Sequence, residues 1–353
     1  MGVQGGTIKK ERHSGIELLR ILAGMAVVVL HFNYLPGGHG AMDGATGFNA
    51  VFLMAAETLC ICAVNVFILI SGYFGSIASR AKTGKLAGIL LQTMVFGGAA
   101  YLIKCLIRGT QIAPGILGRA FVPVNYFIIL YVVMMLLSPF LNKLIAQMKE
   151  GAFTRLAILL FLLFSVTVTG VDMAAERTGD PLAGLSPVGL NGSMNGYSIV
   201  HFIVMYMIGA WLRVHPAKER PWKVIAAVTV PVMMAGIYLW DSVLPKTAWM
   251  YCNPLVIIEA VVLFRAFESM RFRSRIINTI APASLTCFLI QEHLLGCLNF
   301  DVIRTLHPVL LFGVLLAAAA GIYLAAFALM KLWNLLIRPV LKLLDRLPDI
   351  TCG

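Results

Sequence analysis

About ten stretches of roughly twenty residues, almost free of charge, follow one another along this 353-residue chain, and an α-helix needs about that length to cross the hydrocarbon core of a bilayer. They cover residues 16–35, 51–74, 86–107, 125–146, 153–171, 197–212, 222–240, 251–267, 280–300 and 309–332. With 59% of its residues hydrophobic and only 12% charged, the chain lacks the polar residues to clothe a soluble globule of this size. Inside lipid every backbone N–H and C=O must find a partner within the protein, which leaves helices or closed barrels. The segment length selects helices. The sequence therefore predicts an all-α polytopic membrane protein with about ten transmembrane helices.

An even number of crossings returns both termini to one side, and the distribution of Lys and Arg picks the side. Alternate connections, together with the two terminal stretches, carry twenty-two of the 28 basic residues. Only Lys104, Arg108, Arg119, Arg177, Lys246 and Arg304 fall on the other side. Both termini of this multi-pass membrane protein are expected in the cytoplasm. Residues 1–340 read as one membrane domain and 341–353 as a short cytoplasmic tail. Around Pro339 the mixture of Leu with basic residues suits a helix on the inner membrane surface. The basic residues before the first span are followed by no convincing small-residue cleavage site, so that span reads as a retained helix.

The net charge of +12 follows from the same asymmetry. Basic loops orient the helices and meet anionic headgroups, so the lipid bilayer is the expected partner and nucleic acid is not. The seven cysteines include no CxxC pair and six lie in or at apolar spans, which gives no support to a metal site or a disulfide. Two longer connections on the outer side, 36–50 and 172–196, are candidate rims or lids. No internal repeat relates the two halves, which argues against an inverted-repeat transporter without removing that reading.

Ionisable side chains inside spans are costly and face the protein interior or a water-filled cavity. On the first span Arg20 and His31 are eleven residues apart, hence within roughly 20° of one helix face and about 16 Å apart along it. They can look into one groove at two depths. Taken alone, Arg20 is an inner anchor paired with Glu17, and His31 an interfacial histidine satisfied by a hydroxyl. Their shared face moves both toward function. Other polar groups fall mostly in the outer half of the spans: Glu57, Asn65, Asn125, Tyr126, Ser198, His201, Glu259, Gln291, Glu292 and His293. Glu259 and Glu292 read equally well as protonated structural carboxyls hydrogen-bonded between helices.

Several segments then resemble the integral-membrane acyltransferase family 3, which includes bacterial cell-surface glycan O-acetyltransferases. The first is GIELLRILAGMAVVVLHFN, an arginine, ten residues and a histidine on the first helix. AVNVFILISGYFG, with Ser71, is similar to the end of the family's second span. PVNYFIILYVVMMLLSPFLNKLI is similar to its fourth, and FIVMYMIGAWLR to its sixth. These occur in the family's order from about residue 15 to 300. One departure stands in ASLTCFLIQEHLLGCLN, where Gln291 occupies a position that is usually histidine in the family. His293 lies about 200° around the helix and does not substitute for it, which puts a chemical role for this segment in doubt.

The resemblance implies transfer of an acyl group, acetyl in the first instance, from cytoplasmic acyl-CoA to a hydroxyl of a cell-surface or exported glycan. Acetyl-CoA is then a co-substrate, the glycan is the acceptor, and no metal is required. Arg20, with Arg80, Lys82 and Lys85, is expected to hold the CoA phosphates, and His31 is the expected general base. Glu57, Asn65, Ser71, Asn125, Tyr126, His201, Glu259, Gln291 and Glu292 are candidate lining residues. A transporter or flippase using the same charges is the second reading. The third is a relay subunit that delivers acyl groups to a separate extracellular transferase as its partner.

Overall fold

In the computed structural model, which describes residues 12–35, 39–108, 125–179, 196, 198–217 and 219–352, all ten apolar stretches are helical. In chain order they are α1 (Ser14–Asn33), α2 (Gly47–Cys60), α3 (Ala63–Gly75), α4 (Thr83–Arg108), α5 (Tyr126–Gln147), α6 (Glu150–Phe161) and α7 (Val168–Thr178). Then come α8 (Ile199–Val214), α9 (Trp222–Asp241), the single turn α10 (Pro245–Ala248), α11 (Pro254–Glu268), α12 (Arg275–Ile280), α13 (Ser284–Leu295), the single turn α14 (Phe300–Ile303), α15 (Pro308–Leu336) and α16 (Arg338–Leu344). The only strands among the described residues are two-residue pieces, β1 (Arg80–Ala81) and β2 (Ile350–Thr351), which pair antiparallel.

Seven helical segments among the described residues are long and apolar enough to cross a membrane. Gly47–Gly75, comprising α2 and α3 with a bend at Ile61 and Cys62, counts as one of them. Another is Glu150–Thr178, in which a π-helical turn at Leu162–Thr167 joins α6 to α7. The other three predicted spans form shorter helices of 16, 15 and 12 residues, α8, α11 and α13. Polar side chains cap two of them. Asn253 accepts from the Leu255 N–H at the start of α11, and Ser198 from the His201 N–H at the start of α8.

The pattern of exposure is that of a bundle in an apolar solvent. Helix α8 is buried along most of its length, whereas α9 turns Val224, Val228, Val232, Tyr238 and Leu239 outward. Helix α8 lies hard against α3. A Cβ at Gly72 would collide with the Tyr206 carbonyl, and one at Gly209 with the Leu69 carbonyl. Small residues of this kind let two backbones approach where no hydrophobic effect drives helices together. Helix α1 stands between two apolar clusters. Ile16, Leu19, Ala23, Val27 and Leu30 pack toward α3, α8 and α11, while Val28 and Phe32 pack toward α13, α14 and α15.

Contacts tie the segments richest in basic residues into one end of the bundle. The Arg12 guanidinium donates to the Asn278 carbonyl, and the Ser14 hydroxyl accepts from the Ser274 N–H. Arg265 donates to the Leu212 and His215 carbonyls and pairs with Glu268, which accepts from the Tyr73 hydroxyl. The last residues close the same end: Arg80 bridges to Asp349, Thr83 donates to the Pro348 carbonyl and Lys143 to that of Cys352. Residues 348–352 thus lie docked on the loop that follows α3 and its neighbours. At the opposite end Asn49 donates to the Arg304 and Leu306 carbonyls, and Glu176 caps the Lys246 and Thr247 N–H groups. Asp172 and Glu176, expected in a loop, belong to helix α7. Most of the remaining lid segment and residues 36–38 lie outside the described residues.

The backbone contact at Gly209 carries a direct consequence. Gly209→Ala forces α8 away from α3 and should destabilise the protein by about 1–3 kcal/mol, as overpacking does. Thermal unfolding of the purified protein in detergent will read this as a lowered midpoint, with Gly97→Ala, where a methyl meets nothing, as the unchanged control.

Candidate functional site

Along α1 the residues Arg20, Gly24, Val28 and His31 recur at spacings of four, four and three, which stacks them on one stripe. That stripe faces α13 and α15. The Ser284 hydroxyl is within hydrogen-bonding distance of the Arg20 carbonyl at 3.3 Å, and also meets the Tyr323 hydroxyl at 2.8 Å. A Cβ on Gly24 would lie 2.7 Å from the Tyr323 ring, and Val28 is fully buried. The sequence suggested one groove seen at two depths. Between the two levels the stripe is instead packed protein, because the glycine admits the Tyr323 ring against the helix.

At the lower level Arg20 pairs with Glu17 at 3.5 Å across one helical turn, and its side chain keeps 28% of its exposure. At the upper level His31 meets the end of α13. Its Nε2 stands 3.9 Å from a Glu292 carboxylate oxygen. Gln291 is close enough to interact with the imidazole, yet the His31 Nδ1 and both amide atoms of Gln291 are buried with no hydrogen-bond partner. Ser284 beside Arg20 and Gln291 beside His31 mean that α13 runs parallel to α1. The ninth-span segment, doubtful from sequence because glutamine replaces histidine there, forms the wall opposite His31.

Further polar side chains lie in the same half of the bundle. Asn33, two residues beyond His31, donates to Glu57 Oε2 at 2.8 Å and to the Leu53 carbonyl at 2.9 Å. Asn65 donates to the Tyr251 carbonyl at 2.8 Å and accepts from His201 Nε2 at 2.8 Å, so the unpartnered buried nitrogen of His201 is Nδ1. Glu259 is fully buried near the Cys62 thiol, with neither carboxyl oxygen in a hydrogen bond. Most buried polar groups elsewhere are paired, because an unmade hydrogen bond in a dry interior is expensive. The orphaned atoms of His31, Asn33, His201, Glu259 and Gln291 are therefore open to hydrogen bonds from a polar guest or from water.

Other expected lining residues serve the helices themselves. Asn125 caps α5 by accepting from the Ile128 N–H, and the Ser71 hydroxyl donates back to the Phe67 carbonyl. Tyr126 is 37% exposed at the start of α5. The four expected phosphate-binding cations divide between two places. Arg20 sits inside the bundle, whereas Arg80, Lys82 and Lys85 lie exposed on the loop after α3 and the start of α4, with Arg80 held by Asp349.

The sequence reading missed Asn33, Ser284 and Tyr323. Asn33 carried the same signal as Asn65, an amide inside an apolar run. Ser284 and Tyr323 carried none, since a hydroxyl in a membrane helix satisfies itself on its own backbone as readily as on a neighbour.

A family model described as an acyltransferase domain matches residues 13–333 of the chain. Neither the curated proteins nor the solved structures contain a match.

Removing the Asn65 amide leaves the buried His201 Nε2 without its partner. Asn65→Leu should cost about 1–3 kcal/mol for that stranded group. Ser71→Ala, which frees only a hydroxyl bonded to its own helix, should shift the unfolding midpoint in detergent far less.

Proposed function

Since the chain belongs to the integral-membrane acyltransferase family 3, we propose that it transfers an acetyl group from acetyl-CoA on the cytoplasmic side to a hydroxyl of an exported or cell-surface glycan, with His31 as general base. The observation that carries this reading is the unpartnered imidazole nitrogen of His31, set among other orphaned polar atoms at the level of Gln291. A general base needs a lone pair that no protein donor has already taken. His31 has one.

The reaction asks little else of the site. The acceptor oxygen attacks the thioester carbonyl carbon, its proton passes to the imidazole, and a C–O bond forms as the C–S bond breaks. The departing thiolate then takes that proton from the imidazolium. The bundle excludes bulk water around this step, and hydrogen-bond donors aimed at the developing oxyanion lower its barrier. The Gln291 amide, with both atoms unpartnered, is suitably equipped to give or accept such bonds.

Donor binding fits the basic end. By the charge rule that end faces the cytoplasm, where acyl-CoA is made. Lys82 and Lys85 are exposed there, and Arg20 lies deeper on α1. Phosphates docking on the two lysines leave Arg20 to hold charge farther in. Glu17 already partners Arg20, so a donor phosphate must share or displace that pairing.

Purified protein in detergent, given radiolabelled acetyl-CoA and envelope glycan stripped of its esters by mild base, should acetylate the glycan without any ion gradient. Flux across vesicles with no transfer in either format would show transport instead. His31→Ala should lower transfer by about 10²–10⁴-fold, the usual contribution of a general base, while the protein still folds and inserts. Arg20→Ala should chiefly raise the KM for acetyl-CoA. Donor affinity equal to that of the wild type would remove Arg20 from the donor site.

A further inference from the structure

The contact between His31 and α13 has a polarity that the assignment of a base does not explain. A neutral imidazole carries one proton on one nitrogen and one lone pair on the other, and whatever sits beside each nitrogen decides which is which. In this chain the two nitrogens have different surroundings. Nε2 faces the Glu292 carboxylate at 3.9 Å. Nδ1 is buried with no partner.

We propose that Glu292 is a positioning residue for His31: its carboxylate keeps the ring proton on Nε2 and so leaves Nδ1 as the atom that takes the acceptor's proton. This inference rests on the reading of His31 as general base and adds to it the reacting nitrogen and the group that selects it. The separation of 3.9 Å is an ion-pair distance, longer than a hydrogen bond. Catalytic hydrogen bonds are often long in empty sites and tighten once the reactants are bound. When the imidazole takes the proton of the hydroxyl it becomes a cation, and the carboxylate then faces a full positive charge. Their attraction is therefore greater in the charged transition state than in the resting site, the condition for an interaction to raise kcat.

The placement supports the division of labour between neighbours on α13. Gln291 is fully buried, whereas the Glu292 side chain retains 41% of its exposure. Gln291 has no ionisable group, so it cannot supply the negative charge beside His31. Glu57, on the other side of the α1 terminus, is held by Asn33. Glu292 is the carboxylate that the structure places in contact with the imidazole.

The test compares wild type, Glu292→Gln, Glu292→Asp and His31→Ala as purified proteins, all assayed with radiolabelled acetyl-CoA and base-treated envelope glycan. Only preparations eluting as a single species in detergent are assayed. Glu292→Gln preserves the shape and removes the charge. It should lower kcat on the order of a hundred-fold, the penalty of a misdirected catalytic group, with both KM values within about two-fold of wild type. Glu292→Asp should recover part of the rate. In the His31→Ala background, Glu292→Gln should change the residual rate no further, since the residue acts through the imidazole. Wild-type kcat in Glu292→Gln overturns the inference, as does a loss confined to KM, an aspartate no better than glutamine, or an additive double variant. Each of those results leaves the base assignment standing if His31→Ala is inactive. Wild-type transfer by His31→Ala removes the base assignment itself.

Discussion

Hydrocarbon offers a polar group nothing to bond to, and this constraint organises the whole molecule. Backbone groups answer it by forming helices. Side chains answer it by turning inward, which is why Asn65, His201, Gln92 and Thr286 bond to one another or to carbonyls inside the bundle. Where helices bend or end inside the protein, a capping side chain takes up the freed N–H, as Asn253 and Ser198 do. A polar atom left without a partner in such a structure is conspicuous. The unpartnered atoms of His31, His201, Glu259 and Gln291 stand out for that reason.

The second organising feature is close approach. Where lipid replaces water, helix association rests on packing, and it is strongest where side chains are smallest. Gly72 and Gly209 bring α3 and α8 together, while Gly24 lets Tyr323 lie against α1 between Arg20 and His31. The same ring is anchored by Ser284 and the Ala281 carbonyl. Arg20 and His31 thus sit on one rigid helix, separated by a packed layer. Their relative positions are fixed by α1, independently of any loop.

Asymmetry along the bundle follows from charge. The segments that carry most of the basic residues are joined by hydrogen bonds and ion pairs at one end, including the pairing of β1 with β2 and the bridge from Arg80 to Asp349. The orphaned atoms of His31, Asn33, His201 and Gln291 lie toward the other end, while those of Glu17 and Trp222 lie at the basic one. The proposed transfer would take its polyanionic donor from the basic end and its polyhydroxylated acceptor from the other.

By itself the sequence determined the class of fold, because membrane-length apolar runs admit few structures, and it singled out Arg20 and His31, because ionisable groups at a shared helical angle are costly to leave without purpose. Ordered segments along the chain also carried the family, which needs only residue identity and spacing. It did not reveal that the stretch 280–300 holds a helix of only twelve residues, α13, entered through a 3-10 turn at Ala281–Ala283. Nor did it reveal what faces His31. A glutamine in place of the family's histidine reads as a lost function on one helix, and only the packing of α13 parallel to α1 brings Gln291 and Glu292 to the imidazole. Helical periodicity fixes the face on which a residue lies. The partner opposite that face is a tertiary property, set by which glycines let which helices meet.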